Sequence, residues 1–212
     1  MPNHTIQPAT LHDAEALAAL HHLSHTTSFA AFSTAEFINS RRLDYYRKQW
    51  QDFLTNPPQG ASAWTARPFC PSREGGNPVG AAQRGRLPGD PPQPPPNDAQ
   101  NASIAEQEKT KDTQPQIIGM VRVTPMPEPH LAQLSAMHVH PEAQGQGIGR
   151  ALMQVAEDFM RETGYTRAIL GVVLANKPAR SLYESFGWTP IEYHEKGIEG
   201  VPYATYEKRF GG

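Results

Sequence analysis

Apolar residues recur along the chain at two periods, and the switches between them predict the order of the elements. HTIQPAT (4–10) alternates like a strand. LHDAEALAALHHLSHTTSF (11–29) then places Leu11, Ala14, Leu17 and Leu20 near a 3.6-residue period, which predicts a helix. AEFINSRRLDYYRKQWQDFL (35–54) reads as one or two further amphipathic helices, and ASAWTARP (61–68) as a strand. After residue 116 the patterning resumes with two strand-like runs, IIGMVRVTPM (117–126) and LAQLSAMHVH (131–140). GIGRALMQVAEDFMRETG (147–164) predicts a helix with Ile148, Leu152, Val155, Ala156, Phe159 and Met160 on one face and a stop at Gly164. TRAILGVVL (166–174) is a strand rich in branched residues, and PYATYEKRF (202–210) a closing strand. Between them, PARSLYESFG (178–187) is a short helix with Pro178 in its first turn and Gly187 after its last.

Between Pro68 and Gln116 neither period is found. That tract is dense in Pro, Gly, Gln and Asn and nearly empty of large apolar residues, and it accounts for a hydrophobic content of only 38% over 212 residues. Such a composition buries too little surface to offset its ordering entropy, so disorder is expected there. ASAWTA leaving and IIGMVRV returning fit a hairpin across the tract. The expectation is therefore a single domain, 1–212, carrying a long insertion, 68–116; two domains joined by a linker are the alternative. Insertion costs little, because loop-closure entropy grows only logarithmically with length.

A net charge of −2 supplies no global field toward nucleic acid or anionic lipid. The single cysteine, Cys70, excludes an internal disulfide and a cysteine metal site. MPNHTIQPAT lacks the basic start and apolar core of a signal peptide, and no apolar run approaches the ~20 residues of a membrane span. The expected setting is the cytoplasm, with no membrane or nucleic-acid partner and a monomeric or homodimeric state.

Candidate chemistry concentrates in MHVHPEAQGQGIGRALM (137–153), where alternate glycines separate a strand from a helix. A nucleoside triphosphate loop requires Lys-Ser or Lys-Thr after its last glycine, and Arg150-Ala151 stands there instead. A dinucleotide fingerprint requires a sixth-position glycine, which counted from Gly145 is Arg150. A third pattern, Gln/Arg-x-x-Gly-x-Gly/Ala ahead of an amphipathic helix, is met by Gln144, Gly147 and Gly149. With LSAMHVHPEAQGQGIG before it and ANKPARSLYESFGW downstream, residues 117–190 resemble the GNAT superfamily of acyl-CoA-dependent N-acyltransferases. Trp188 stands where that pattern usually has Phe, and the 68–116 tract has no counterpart in it. The resemblance implies an α/β fold of three αβα layers: a mixed, mostly antiparallel sheet of six to seven strands, with splayed parallel strands holding the CoA arm between flanking helices.

The physics of the loop points to the same ligand. Free N–H groups at the start of the helix at Ile148, and the helix dipole, favour an anion. Gly145, Gly147 and Gly149 remove side chains that would hold a diphosphate away, and Gln146 and Arg150 are placed to add contacts. A Gly-rich turn that merely caps a helix is the structural alternative. The resemblance further implies that acetyl-CoA is the co-substrate and that its pantetheine arm lies along the main chains of Met137, His138 and Val139. It places Asn176 at that arm, a role compatible with a plain N-cap, and makes Tyr183 the acid that protonates the leaving thiolate. A phenol keeps its proton at neutral pH; the alternative for Tyr183 is a packing ring one turn before Phe186.

The attacking amine must lose a proton. His138, His140, Glu128 and His130 are candidates for the base; spacing selects none of them, and a water chain is an alternative. No metal is expected: His21 and His22 are adjacent on a helix, and no His-x-x-x-His with a neighbouring carboxylate stands out. The resemblance puts the acceptor between residues 25–37 and 193–206, where Phe29, Phe32, Tyr193, Glu195, Glu199 and Tyr203 lie. The expected activity is acetyl transfer to a primary amine of a small molecule by direct attack. Acetylation of a protein N-terminus or lysine, or a non-catalytic CoA-binding module, are the alternatives.

Overall fold

A computed structural model describes residues 3–27, 30–69, 116–197 and 200–211. Residues 3–69 and 116–211 form one compact unit. The disorder expected of the long tract falls, apart from Pro68, Phe69 and Gln116, outside the described residues, as do Phe29, Glu199 and Cys70.

Seven strands make one mixed sheet: β1 (His4–Pro8), β2 (Ser62–Pro68), β3 (Gly119–Pro125), β4 (Leu131–Val139), β5 (Arg167–Val173), β6 (Thr189–His194) and β7 (Tyr203–Arg209). They run in the order β1-β2-β3-β4-β5-β7-β6. Every neighbouring pair is antiparallel except β4 and β5. The expected hairpin across the tract is present, with Ser62 opposite Val123 and Ala66 opposite Gly119.

Side chains alternate across these strands and feed two cores. Ala63 and Met120 point to one face, where α1 (Ala14–Thr26) and α3 (Leu43–Thr55) bring Leu17, Leu20, Tyr46, Trp50 and Phe53. Trp64, Ala66, Val121 and Val123 point to the other. There α4 (Ile148–Glu162) buries Ile148, Leu152, Ala156 and Met160, the stripe its periodicity predicts. The short helices α2 (Ala35–Ser40) and α5 (Lys177–Ser185) complete the flanking layers.

Two details depart from expectation. Leu11 is 51% exposed, because residues 11–13 form a 3-10 turn ahead of α1 and the 3.6-residue period starts only after it. Strand β6 was not predicted as an element of its own; it is an edge strand whose residues are nearly all exposed, so no apolar alternation marks it.

Two irregularities in β4 create the site. Opposite β3, the register jumps from Arg122↔Ala136 to Val123↔Leu134, leaving Ser135 as the extra residue of a bulge. Opposite β5, pairing covers only Leu131↔Arg167 to Gln133↔Ile169, so the two parallel strands part beyond it. A bulge bends the strand that carries it, and here the bend opens the sheet at its centre.

Candidate active site

The opening between β4 and β5 is a cavity of about 870 Å³. Its walls bring together residues distant in sequence: Ser24 of α1 and Phe32 on one side, Tyr203 and Thr205 of β7 on another, and Asn176 and Tyr183 of the α5 segment. Of the residues singled out from sequence, Met137, His138, Val139, Gln144, Gly145, Ile148, Gly149, Asn176 and Tyr183 line it. Gln146, Gly147 and Arg150 belong to the same loop but stand outside the lining.

The loop is built as a donor-rich turn. Gly145 and Gly147 hold φ of 76° and 80°, where a side chain is strained, and a Cβ at either would meet no atom within 4 Å. Gly147 caps α4 without a side-chain hydrogen bond. Among the described residues, no amide from 145 to 150 donates a hydrogen bond to the protein, so the first-turn N–H groups of α4 remain available to an anion. Gly149 serves a different purpose: its Cβ would stand 3.3 Å from Leu182 Cδ2, so its smallness lets α4 approach α5.

The loop's long side chains are committed elsewhere. Gln146 Nε2 donates to Glu142 O at 3.2 Å. Arg150 donates to Ser185 Oγ at 3.1 Å and lies 5.0 Å from the Phe186 ring centroid, bridging α4 to α5. Gln144 Nε2 donates to Val139 O at 3.3 Å, pinning the strand to the turn.

On β4 the main chains divide between two sides. His140 N donates to Ile118 O at 2.9 Å, so alternation aims the main chain of His138 at β3 as well, where it pairs with Met120. The main chains of Met137 and Val139 therefore face the opening. His138 reaches the site by its side chain, which projects toward α1.

Tyr183 is 8% exposed, and burial pushes its phenol up to about 12, so it stays protonated at neutral pH. Asn176 caps α5, its Oδ1 accepting from Ala179 N at 3.3 Å while the residue also lines the cavity. Both readings of Asn176 thus hold together.

Among the candidate bases, geometry separates one from three. Glu128 is ion-paired to Arg167 at 2.9 Å, His130 contacts Gly164 O at 3.1 Å, and the His140 ring accepts from Glu142 N at 3.3 Å. None of these three lines the cavity. His138 does, but desolvation pushes its imidazole down to about 3, with the charges of His25 and Arg122 adding to the effect. A group that protonates so reluctantly is a poor proton acceptor at neutral pH.

His138 belongs to a cluster that the sequence reading missed. His21 and His25, one turn apart on α1, bring their rings to 4.4 and 5.5 Å from His138. Ligand nitrogens of the three lie within 4.8 Å of one another. The signal was present in HHLSH, where His21 and His25 are an i, i+4 pair; the third member comes from a strand more than a hundred residues later. Trp50 Nε1 donates to His21 Nδ1 at 3.2 Å, which leaves the imidazole proton on Nε2.

Comparison with known proteins bears on this geometry. Residues 92–188 match the model of the acetyltransferase (GNAT) family. A stretch of 77 residues, 36% of this chain, is 39% identical to a mycothiol acetyltransferase of Beutenbergia cavernae, covering 25% of that protein. An uncharacterised N-acetyltransferase of Schizosaccharomyces pombe is 30% identical over 91 residues, 42% of this chain and 56% of its own length. The chain thus spans between a quarter and about half of these relatives. Among solved structures, the PaiA N-acetyltransferase of Thermoplasma acidophilum in complex with coenzyme A superposes with a TM-score of 0.65. That match covers 98% of this chain and 99% of the other at 16% identity, which establishes a shared fold.

Proposed function

We propose, from the premise that this chain belongs to the GNAT family of acetyltransferases, that it transfers an acetyl group from acetyl-CoA to a primary amine of a small molecule. The observation that carries this reading is the position of Tyr183, a buried and protonated phenol lining a cavity whose rim is the donor-rich loop at 145–150. The cavity suits a long, narrow co-substrate: anion-binding amides at its rim, strand edges of Met137 and Val139 along its side, and a proton donor in its wall. Acetyl-CoA supplies an activated thioester.

The residues then have distinct tasks. First-turn amides of α4, with Gly145 and Gly147 keeping the approach open, hold the diphosphate. Main-chain groups of Met137 and Val139 pair with the pantetheine amides as an added strand would, and a free N–H there stabilises the charge that develops on the thioester oxygen. The amine nitrogen bonds to the acetyl carbon as the carbon–sulfur bond breaks. Tyr183 gives its proton to the departing sulfur, and the proton shed by the amine leaves through water, which restores the phenol. His138 stays neutral.

A small acceptor is favoured because Ser24, Phe32, Tyr203 and Thr205, from elements distant in sequence, all line the cavity, giving a walled pocket. No helix among the described residues is long and apolar enough to cross a membrane; we place the reaction in the cytoplasm, the protein acting as a monomer or homodimer. Calorimetry with acetyl-CoA, followed by release of free thiol across an amine panel, tests the reading. Binding with turnover of small amines is expected. Binding with turnover of peptides alone assigns a protein acceptor, and binding without any turnover leaves only a CoA-binding module.

A further inference from the structure

Arg122 is a buried cation with no described carboxylate paired to it. It lies on β3 on the same face as His138 and is 9% exposed. Its guanidinium carbon stands 5.0 Å from the Trp50 ring and 5.3 Å from that of Phe53. Its Nε donates at 2.9 Å to Ser135 Oγ, the hydroxyl of the bulge residue; Ser135 lines the cavity, and Arg122 stands one hydrogen bond behind that lining. The two η nitrogens donate to no described residue and are not sealed from solvent. Burying a guanidinium without a counter-charge is costly, and ordinarily a carboxylate of the protein offsets that cost.

The surroundings decide which ligand this guanidinium would take. A divalent cation on His21, His25 and His138 is the obvious rival. Two observations oppose it. Burial chiefly holds the imidazoles down, and the charges of Arg122 and Arg41 add to it, so the local field opposes a second cation. Trp50, which can only donate, occupies Nδ1 of His21, so the other ring nitrogen carries the proton and neither offers a free lone pair to a cation. A positive field, an open pair of η N–H groups and an N–H on His21 all favour an anion. With Nε held by Ser135, the pair of η groups matches the two oxygens of a carboxylate.

We propose that Arg122, steadied by Ser135, seats a carboxylate carried by the amine acceptor, so that the substrate class is an amino acid or similar amino-carboxylate. The inference rests on the acetyl-transfer reading and narrows it.

The test compares an amino acid, its carboxamide and its phosphonate analogue as acceptors, in the wild type and in Arg122→Met and Arg122→Lys, with acetyl-CoA binding measured separately. The wild type should prefer the carboxylate over the amide by about 10- to 100-fold in kcat/KM, the range of a charge-assisted hydrogen bond. Arg122→Met should abolish the preference through KM, with acetyl-CoA affinity retained and the melting temperature not lowered; Arg122→Lys should keep part of it. Equal use of acid and amide by the wild type overturns the proposal, and so does preference for the phosphonate. Binding of one Zn2+ per chain, lost in His25→Ala and in His138→Ala, overturns it in favour of a cation site. If acetyl-CoA does not bind, the acetyl-transfer reading fails by itself. Calorimetry with the amino acid and its amide, on wild type and Arg122→Met, then decides the anion seat without turnover.

Discussion

Lys208 on β7 places its Nζ 2.6 Å from Oε2 of Glu157 on α4, tying the sheet to the helix that follows the glycine loop. Glu157 is 2% exposed and serves three donors: Lys208, Arg161 Nη2 at 2.8 Å, and Trp188 Nε1 at 2.9 Å. The last bond explains how Trp is accommodated at 188, where the pattern noted in the sequence usually has Phe. An indole N–H buried beneath α4 needs an acceptor, and Glu157 supplies it.

Removing that carboxylate leaves a partly buried ammonium with Phe186 O but no counter-charge, and an indole N–H without its acceptor. Glu157→Leu is therefore expected to cost about 3–5 kcal/mol, and a Glu157→Leu/Lys208→Met double variant should recover part of it. Urea unfolding of the three proteins measures this; a single variant as stable as the wild type would show that the network contributes nothing.

The two kinds of glycine in the loop should respond differently. Gly147→Ala forces a side chain to φ of 80°, a strain of about 1–2 kcal/mol, though it collides with nothing. Gly149→Val needs no unusual backbone but presses on Leu182 and so on α5, which carries Tyr183. The first variant should lose stability and acetyl-CoA affinity. The second should keep its fold while turnover falls. Identical behaviour of both would contradict the division of roles.

Much of this site was legible because local patterns carry it. The donor-rich turn follows from Gly145 and Gly147 before an amphipathic helix, and Tyr183 sits in a helix that Asn176 caps, with Pro178 in its first turn and Gly187 after its last. What escaped notice depends on register and tertiary contact. Ser135 is a bulge residue only because β3 pairs with β4 out of step. Arg122 is a buried cation only because α3 lays Trp50 and Phe53 over it. His138 looked like an available base until burial against His21 and His25 removed its basicity. β6 left no trace because an exposed edge strand has no apolar side to alternate.

Tyr183→Phe keeps the ring in the core and removes only the proton. Turnover is expected to fall by about 10²-fold or more, with acetyl-CoA binding unchanged. Because burial lifts the phenol to about 12, the wild type should hold its rate through about pH 10, where a solvated phenol is half ionised. Near-normal turnover by the Phe variant would leave Tyr183 a packing ring.

The histidine cluster should make stability pH-dependent. In the folded protein burial holds His25 down to about 4 and His138 to about 3, and His21 well below its ordinary 6.5, whereas unfolded chains protonate near 6.5. The unfolded state thus binds more protons below that value. The stabilisation is complete above about pH 6.5, declines steadily below it, and is gone once pH has fallen through 4 toward 3. Melting temperature should drop between pH 7 and 5, and less steeply in His138→Phe. A flat wild-type profile over that interval would mean the imidazoles are not sealed from solvent.

The flanks of the long tract supply the last test. Ile118 N donates to Ala66 O at 2.8 Å, and Ala66 stands opposite Gly119, so β2 and β3 are already neighbours where the tract leaves and rejoins them. Antiparallel neighbours need only a few residues to connect. Replacing residues 70–115 with a short Gly-Asn turn should therefore preserve folding, and acetyl-CoA affinity too, since the described residues that line the cavity all lie outside that range. The shorter loop should even raise stability slightly, because closure entropy rises with length. Circular dichroism and calorimetry on the shortened chain check both points. Collapse of the variant would show that the tract contributes to the folded body and that the single-domain organisation proposed for 1–212 requires it.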